Sequence, residues 1–500
     1  MELDSYRQVL LFLTAFFGLV LFGEPAFGEE EDPPTPEAVT GTKAAPSDEP
    51  DPSPNPPANV EDEEEAEKER KQALKWALEA YISEDLRYRN AGGEDDLHSY
   101  TQIYADATHR GERAYHVRFN GRLILNLIEN QNPASTLRDY WDGFDHQIQF
   151  RLYEAYGDVP FKSALVRVGR QFLDEGNYFH VDGVRVDVDL SEMMKGLDLT
   201  VIGGVPVRLS GTSRDSNWMI GVVARARVSK DTRLRLSYYH VSESFPGINS
   251  PVVDPINQPV TIPAGDIDDD LVGLSAWHNF MRTLRVYGRF TVLNGDANEL
   301  HLRLRWFTED GKWNVVAEWY QLFERLHNVT NDLSPYAPML GSYQPFWRIG
   351  LRGTYRPSPL WVLAVGLSRR QVENTSNEGV FNHTYTHYSV SATRVDAWKP
   401  GLDVSVTVNG YVTSDSREFL ATTTTLVYRI NPEVRVTGGI DYSLYKYLWF
   451  NNSEHENVWT YFVRVRWEAR KKVTVSGMVS VDDGRNYTWT TLAVRLTWRF

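Results

Sequence analysis

The stretch ELHLRLRWF (residues 299–307) alternates strictly between polar and apolar side chains as far as Trp306. Leu300, Leu302, Leu304 and Trp306 fall on one side, and His301, Arg303 and Arg305 on the other. Successive side chains of a β-strand point to opposite faces, so such a run fits a wall between an apolar and a polar medium. The same pattern recurs in NWMIGVVARARV (217–228), DTRLRLSYYH (231–240), FWRIGLRGTYR (346–356) and YFVRVRWEA (461–469). It returns in TLAVRLTWRF (491–500), which ends the chain on a bare Phe.

A soluble sandwich also alternates, but its polar face meets bulk water and carries mixed Lys, Glu, Ser and Thr. Here Arg dominates the polar faces, and many apolar faces end in Trp or Tyr, the residues that favour membrane–water boundaries. The runs are about as long as the 9–11 residues a membrane-crossing strand needs. Short turns such as VSKD (228–231), TEDGK (308–312), RPSP (356–359), INPE (430–433) and ARKK (469–472) alternate with longer polar stretches at 242–266, 325–342, 372–382 and 446–457. Short connections on one side and long on the other mark a transmembrane antiparallel up-and-down β-barrel. Counting back from Phe500 to SEDLRYRN (83–90) gives about 22 strands, with 18 to 22 allowed by ambiguous segments, and an even number places both barrel ends on the periplasmic side. A barrel of that size encloses a lumen and not a packed core.

The segment ahead of the strands is different in kind. Residues 9–22 form an unbroken apolar run too short to span a membrane, followed by Ala26-Phe27-Gly28, so 1–28 reads as a cleaved signal peptide. Its departure from the usual pattern is an n-region with Arg7 set against Glu2 and Asp4. Residues 29–60 are acidic and carry nine prolines, the composition of a disordered linker. Residues 61–83 switch to a helical period, with Leu74, Ala77, Leu78 and Tyr81 on one face, and read as a short charged amphipathic helix. The barrel is then expected over 84–500. Of the formal net charge of −15, residues 1–90 hold −13, so the remainder is nearly neutral.

Chemistry is sparse. There is no cysteine, which excludes disulfides, thiolate metal sites and thiol catalysis. No nucleotide loop, HExxH or dinucleotide fingerprint occurs, no cofactor is implied, and no adjacent constellation nominates a catalytic site. The arginines alternate with lipid-type residues and form no basic patch, which argues against nucleic acid. DIDDD (266–270) matches no defined calcium loop, and His383 and His387 lack a third ligand.

Residues 153–190 resemble outer-membrane porin-type channels, including the alginate-export-like families. The likeness is carried by Glu154-Ala155-Tyr156, then Val168-Gly169-Arg170-Gln171, then Asp182-Gly183-Val184-Arg185. It covers under a tenth of the chain and implies a non-enzymatic Gram-negative outer-membrane channel for small polar solutes. Polysaccharide or specific-solute transport and a non-conducting adhesive barrel are the alternatives, with a barrel hydrolase behind them. Arg167 and Arg170 stand three apart, so either Gly169 marks a bulge that turns Arg170 inward or Arg170 lies near the rim.

The polar faces nominate Arg225, Arg227, Arg233, Arg235, Arg303, Arg305, Arg348, Arg352, Arg464, Arg466 and Arg495 as pore-lining, against fewer acids at Asp187, Asp189, Glu318, Asp441 and Glu468. Rings of Arg favour anions. Trp498 and Phe500 resemble the terminal signal read by the barrel-assembly machinery. The expected partners are therefore outer-membrane lipid, that machinery and small solutes, with the chain a monomer or a trimer.

Overall fold

Strands whose two faces differ this sharply satisfy their backbone in a membrane only if the sheet closes on itself, because an open edge would leave N–H and C=O groups unpaired. The computed structural model shows that closure. It describes residues 76–500 except 92, 110–113, 129–147, 175–177, 208–215, 246–247, 254–258, 263–264, 324–344, 374–383, 414–417, 450–451 and 486–487. The expected signal peptide and linker lie outside the described residues.

The first third of the barrel comprises β1 (Trp76–Ala91), β2 (Glu94–His109), β3 (His116–Ile128), β4 (Ile148–Pro160), β5 (Ala164–Asp174), β6 (Tyr178–Asp189), β7 (Leu197–Pro206), β8 (Trp218–Arg227) and β9 (Thr232–Phe245). A separate hairpin follows, β10 (Ile248–Val253) with β11 (Pro259–Ile262). The wall resumes with β12 (Gly265–Met281), β13 (Leu284–Leu293), β14 (Asp296–Phe307), β15 (Trp313–Leu322), β16 (Phe346–Ser358) and β17 (Trp361–Val372). It continues through β18 (Tyr385–Arg394), β19 (Leu402–Thr413), β20 (Glu418–Asn431) and β21 (Val434–Trp449) to β22 (Asn452–Arg470), β23 (Val473–Asp483) and β24 (Thr488–Arg499).

Twenty-two of these strands form one antiparallel sheet in which each pairs with its neighbours along the barrel and β1 pairs with β24. The upper count expected from the sequence is thus the observed one. The closing seam joins Asp85 to Arg495 and Ile82 to Trp498 in register, and the Phe500 amide donates to the Ala80 carbonyl at 2.8 Å.

That seam corrects the helix expected over 61–83. Residues 76–83 are the start of β1, while 61–75 lie outside the described residues. The apolar residues at 78, 80, 82 and 86 also satisfy a period of two, and a helix there would leave part of the edge of β24 unpaired. Among the described residues the barrel wall accordingly starts at Trp76, ahead of the expected residue 84.

The five short turns named above all lie at the end of the barrel that holds the chain terminus. The opposite end is less uniform than expected. Asn294-Gly295 is a tight turn there, both residues at positive φ. The stretch 242–266 is largely strand, ending β9, forming the β10–β11 hairpin and starting β12. The stretch 446–457 belongs to β21 and β22, which pair as far as Trp449 and Asn452. Residues 266–270 likewise belong to β12.

Exposure separates the two faces. Leu234, Leu236, Leu274, Ile349, Leu351, Val365, Leu367 and Val463 are exposed apolar residues of the outer face. Trp306, Trp313, Trp361 and Trp498 lie on that face near the short-turn end, as an aromatic girdle requires. On the inner face, Leu173, Phe179, Val181, Ile202, Met219, Val223, Tyr239, Val241, Leu271 and Leu293 form a buried cluster towards the long-connection end of β5–β9, β12 and β13. Leu322, Phe346 and Val372 form a second cluster at the same end of β15–β17.

Candidate functional site: the inner wall

All eleven arginines nominated from the sequence lie on inward strand positions, alternating with the exposed apolar residues. The cross-strand register then brings several of them face to face. Arg225 is opposite Arg235 and Arg227 opposite Arg233. Arg285 is opposite Arg305, and Arg348 opposite Arg370. Directly opposed like charges destabilise a sheet.

Aromatic rings run beside these cations. Trp277 and Tyr287 are 5.2 Å apart between centroids, Tyr287 and His301 5.5 Å, His301 and Tyr320 6.0 Å, and Tyr320 and Phe346 5.4 Å. The Arg235 guanidinium lies 4.9 Å from the Trp277 ring, and that of Arg370 lies 3.9 Å from the Phe346 ring. Rings at these distances hold guanidinium planes in fixed orientations through their quadrupoles. Glu318 and Glu299 are counter-charges of this wall: Glu318 accepts from Arg348 at 2.6 Å and stands 3.5 Å from His301, and Glu299 lies 3.8 Å from Arg289.

Around β1–β6 the inward charges are paired with each other. Arg495 donates to Asp85 at 2.7 Å across the closing seam. Arg118 donates to Asp106 at 2.8 Å, and Arg167 to Asp158 at 2.7 and 2.9 Å through two nitrogens. His116 bridges the two carboxylates, 2.8 Å from Asp106 and 3.0 Å from Asp158. Arg185 holds Asp187, which also accepts from Thr200 at 2.5 Å.

The third sector, β18–β20, is lined mainly by hydroxyls and amides, with an Arg429–Asp403 ion pair at its short-turn end. Ser389 is opposite Asn409, Ser391 opposite Thr407, and Thr393 opposite Ser405, whose hydroxyls are 3.0 Å apart. Thr407 in turn faces Thr423. His387 stacks on Tyr411 at 4.3 Å, as a wall group, and His383 lies outside the described residues.

The porin-like motif is placed differently from its sequence expectation. Gly169 has φ of +129° and pairs with Gly183, which pairs with Gly204. A Cβ on Gly183 would lie 2.2 Å from the Gly203 carbonyl oxygen and 2.7 Å from the Gly204 Cα. Backbones therefore approach closely along this inward row, which only glycine permits. Gln171 is fully buried among the inner-face residues. Arg170 does not turn inward, and no register shift occurs at Gly169. It points outward on the face of exposed Val168 and Val184, held by Asp182 through contacts of 2.7 and 2.5 Å. A bidentate carboxylate partner offsets the cost of placing the guanidinium there. The bulge of this region lies in β3–β4, beside Gly121.

The sequence reading missed Arg285, Arg289 and Arg370 on the basic sector, although Arg285 and Arg289 alternate with Val286, Gly288 and Phe290. It also missed Asp85, Asp106 and Asp158, whose partners lie on other strands. Among the described residues no group of His, Asp and Glu is arranged to hold a metal ion.

The molecule is thus a closed 22-stranded antiparallel barrel with an apolar exterior and a charged interior. No family model matches the chain, and no curated protein matches it. Among solved structures it is similar to the outer membrane protein OpdK from Pseudomonas aeruginosa, at 11% identity over 85% of this chain and 99% of that chain, with a TM-score of 0.43. It is also similar to a BenF-like porin from Pseudomonas fluorescens Pf-5, at 10% identity over 85% and 98%, TM-score 0.44. A third is OccAB4 from Acinetobacter baumannii, at 10% identity over 85% and 98%, TM-score 0.41.

Proposed function

We propose that this protein is an outer-membrane porin-type channel through which small polar solutes cross, with anions preferred. The observation that carries the reading is the closed wall itself: apolar and aromatic outside, and lined inside by opposed arginines on β8–β9 and β13–β17. A low-dielectric wall around a water-filled lumen focuses the field of those cations along the solute path. The function is transport, with no catalytic step and no cofactor.

Reconstitution of the purified full-length chain in a planar bilayer under a salt gradient tests it. A reversal potential of the sign set by anion permeation is expected, and cation preference would sink the anion reading. The buried inner-face clusters favour a second reading, in which the barrel is narrowed to a specific solute or closed as a structural barrel. Absence of any conductance from folded protein selects the structural barrel.

Export by a cleaved signal peptide and recognition by the barrel-assembly machinery complete the proposal. Trp498 and Phe500 support the latter, since both are exposed on the outer face with ring centroids 4.8 Å apart at the closing seam. Deletion of Phe500 is expected to leave secretion intact and to lower the yield of heat-resistant barrel. An unchanged yield would refute the assembly role.

A further inference from the structure

The lumen carries, at its short-turn end, arginines that no carboxylate of the barrel answers. Arg227 and Arg233 flank the turn between β8 and β9 and stand opposite each other. Arg285 stands opposite Arg305 where β13 starts and β14 ends, and Arg352 lies on the inward row of β16. Each is within four residues of a short turn. With tilted strands rising about 3.3 Å per residue, all five lie within about 10 Å of that mouth. Arg305 donates to the Asn314 side-chain oxygen at 3.1 Å, and the Arg285 guanidinium lies 5.3 Å from the Phe307 ring, both neutral groups. Among the described residues none of the five forms an ion pair, whereas Arg429 at the same end is held by Asp403 and Arg466 by Glu468.

The same mouth receives the chain that precedes the barrel. Trp76 pairs with His109 at the short-turn end, and the seam with β24 starts only at Tyr81, opposite Arg499. Ahead of Trp76 stand residues 29–75, those left by the proposed cleavage, with 15 Asp and Glu against five Lys and Arg. Five of the acids are consecutive, Glu61-Asp62-Glu63-Glu64-Glu65. The most concentrated negative run of the sequence is therefore anchored beside a mouth whose wall is basic.

The dimensions allow the two to meet. Strands about 4.8 Å apart and tilted by about 40°, 22 in number, enclose a backbone wall about 44 Å across. A chain covers at most about 3.3 Å per residue, so Glu65 and Glu61 reach up to about 36 and 50 Å from Trp76. That is enough to reach the arginines of β8, β9 and β13, across the mouth from β1. Because the run and the wall belong to one chain, their encounter is intramolecular and independent of protein concentration.

We propose that the acidic run 61–65 docks on the arginines of the short-turn mouth, as a tethered anion that competes with solute anions for the basic wall. The inference rests on the channel reading and adds a regulation of that same site. Docked carboxylates neutralise the mouth, which lowers both anion entry and anion preference at low salt. Raising the salt screens the pairs and releases the run. Because the run is anchored at one mouth, a potential that drives anions into the lumen from the short-turn side strengthens the block, and the opposite potential relieves it.

Cleavage by a glutamyl endopeptidase reads the docking without reference to conduction, on the purified full-length chain with folding checked by heat-resistant migration. At low salt the run is expected to resist cleavage. Combining Arg227→Gln, Arg233→Gln and Arg285→Gln should make it cut several-fold faster at the same salt, while Lys at the same three positions keeps the protection. A wild-type run cut as fast as that of the Gln variant overturns the proposal. Planar-bilayer conductance then reads the consequence. With Glu61→Gln, Asp62→Asn, Glu63→Gln, Glu64→Gln and Glu65→Gln together, the chain should conduct more than wild type at low salt, with stronger anion preference, and the two should converge at high salt. Equal open conductance at low salt overturns the proposal as well. Protection in a chain that never conducts defeats only the channel reading, and conduction with an unprotected run defeats only the docking.

Discussion

The inner surface of this barrel has two sectors built on the same backbone and lined in opposite ways. Across β13–β17, cations face cations, as at Arg285–Arg305 and Arg348–Arg370, with aromatic rings between them. Across β18–β20, hydroxyls face hydroxyls and amides, as at Ser391–Thr407 and Ser389–Asn409. The two sectors are continuous, hydrogen-bonded through β17 and β18, and their outer faces are alike in carrying exposed Leu and Val. The sheet therefore does not need the arginines. Opposed guanidinium groups cost stability that the hydroxyl pairs of β18–β20 do not, so under the proposed channel reading selectivity is expected to reside in the basic sector.

The largest expected effect comes from erasing that contrast. Replacing Arg303, Arg348 and Arg352 together by Gln should remove most of the anion preference, seen as a shift of the reversal potential towards zero in a salt gradient. The effect should be strongest at low salt, because exposed charges are screened over about 8 Å at physiological ionic strength.

A smaller change sharpens the contrast. Glu318→Gln removes the carboxylate that accepts from Arg348 at 2.6 Å, so the anion preference should rise by roughly twofold in the same recording, the scale of one charge in a water-filled lumen. Equivalent surgery on the other sector should do little. Ser391→Ala with Thr407→Val is expected to leave the reversal potential unchanged, and a shift as large as that of the arginine variants would break the comparison.

The smallest effect lies at the short-turn end, outside the membrane. Asp310 is held down at about 2 by hydrogen bonds from the Thr308 hydroxyl and the Lys312 amide. A carboxyl lowered in the folded state stabilises the turn above its ordinary pKa, and that contribution is lost as pH falls towards about 2. Asp310→Asn should therefore lower the barrel's stability slightly near neutrality and leave it unchanged near pH 2, flattening the acid limb of the profile measured by heat-resistant migration across pH.

Much of this was legible in the residues themselves. Leu300 through Trp306 had to be a two-faced strand, because the apolar and polar residues alternate without a fault. The eleven nominated arginines fall on inward positions for the same reason. Trp76 to Ser83 was read wrongly as helix, since Leu78 fits a helical face with Tyr81 and equally a period-two row with Ala80 and Ile82, and only the unpaired edge of β24 decides between them. Arg170 was ambiguous because parity alone says outward, while the cost of charge in hydrocarbon says inward. Asp182, on the next strand, resolves it. Asp85, Asp106 and Asp158 went unnoticed because their partners are remote in sequence.

The sequence by itself determined the closed two-faced sheet, its approximate strand number and the face on which each long alternating run places its charges. Those are local properties, fixed by a side-chain period of two and by the length needed to cross an apolar layer. The tertiary structure alone decided which charges stand opposite one another, through the register of adjacent strands. It separated the wall into paired, basic and hydroxyl sectors. A one-residue slip in register would preserve every strand and destroy all of those pairings, so no strand taken singly could contain them.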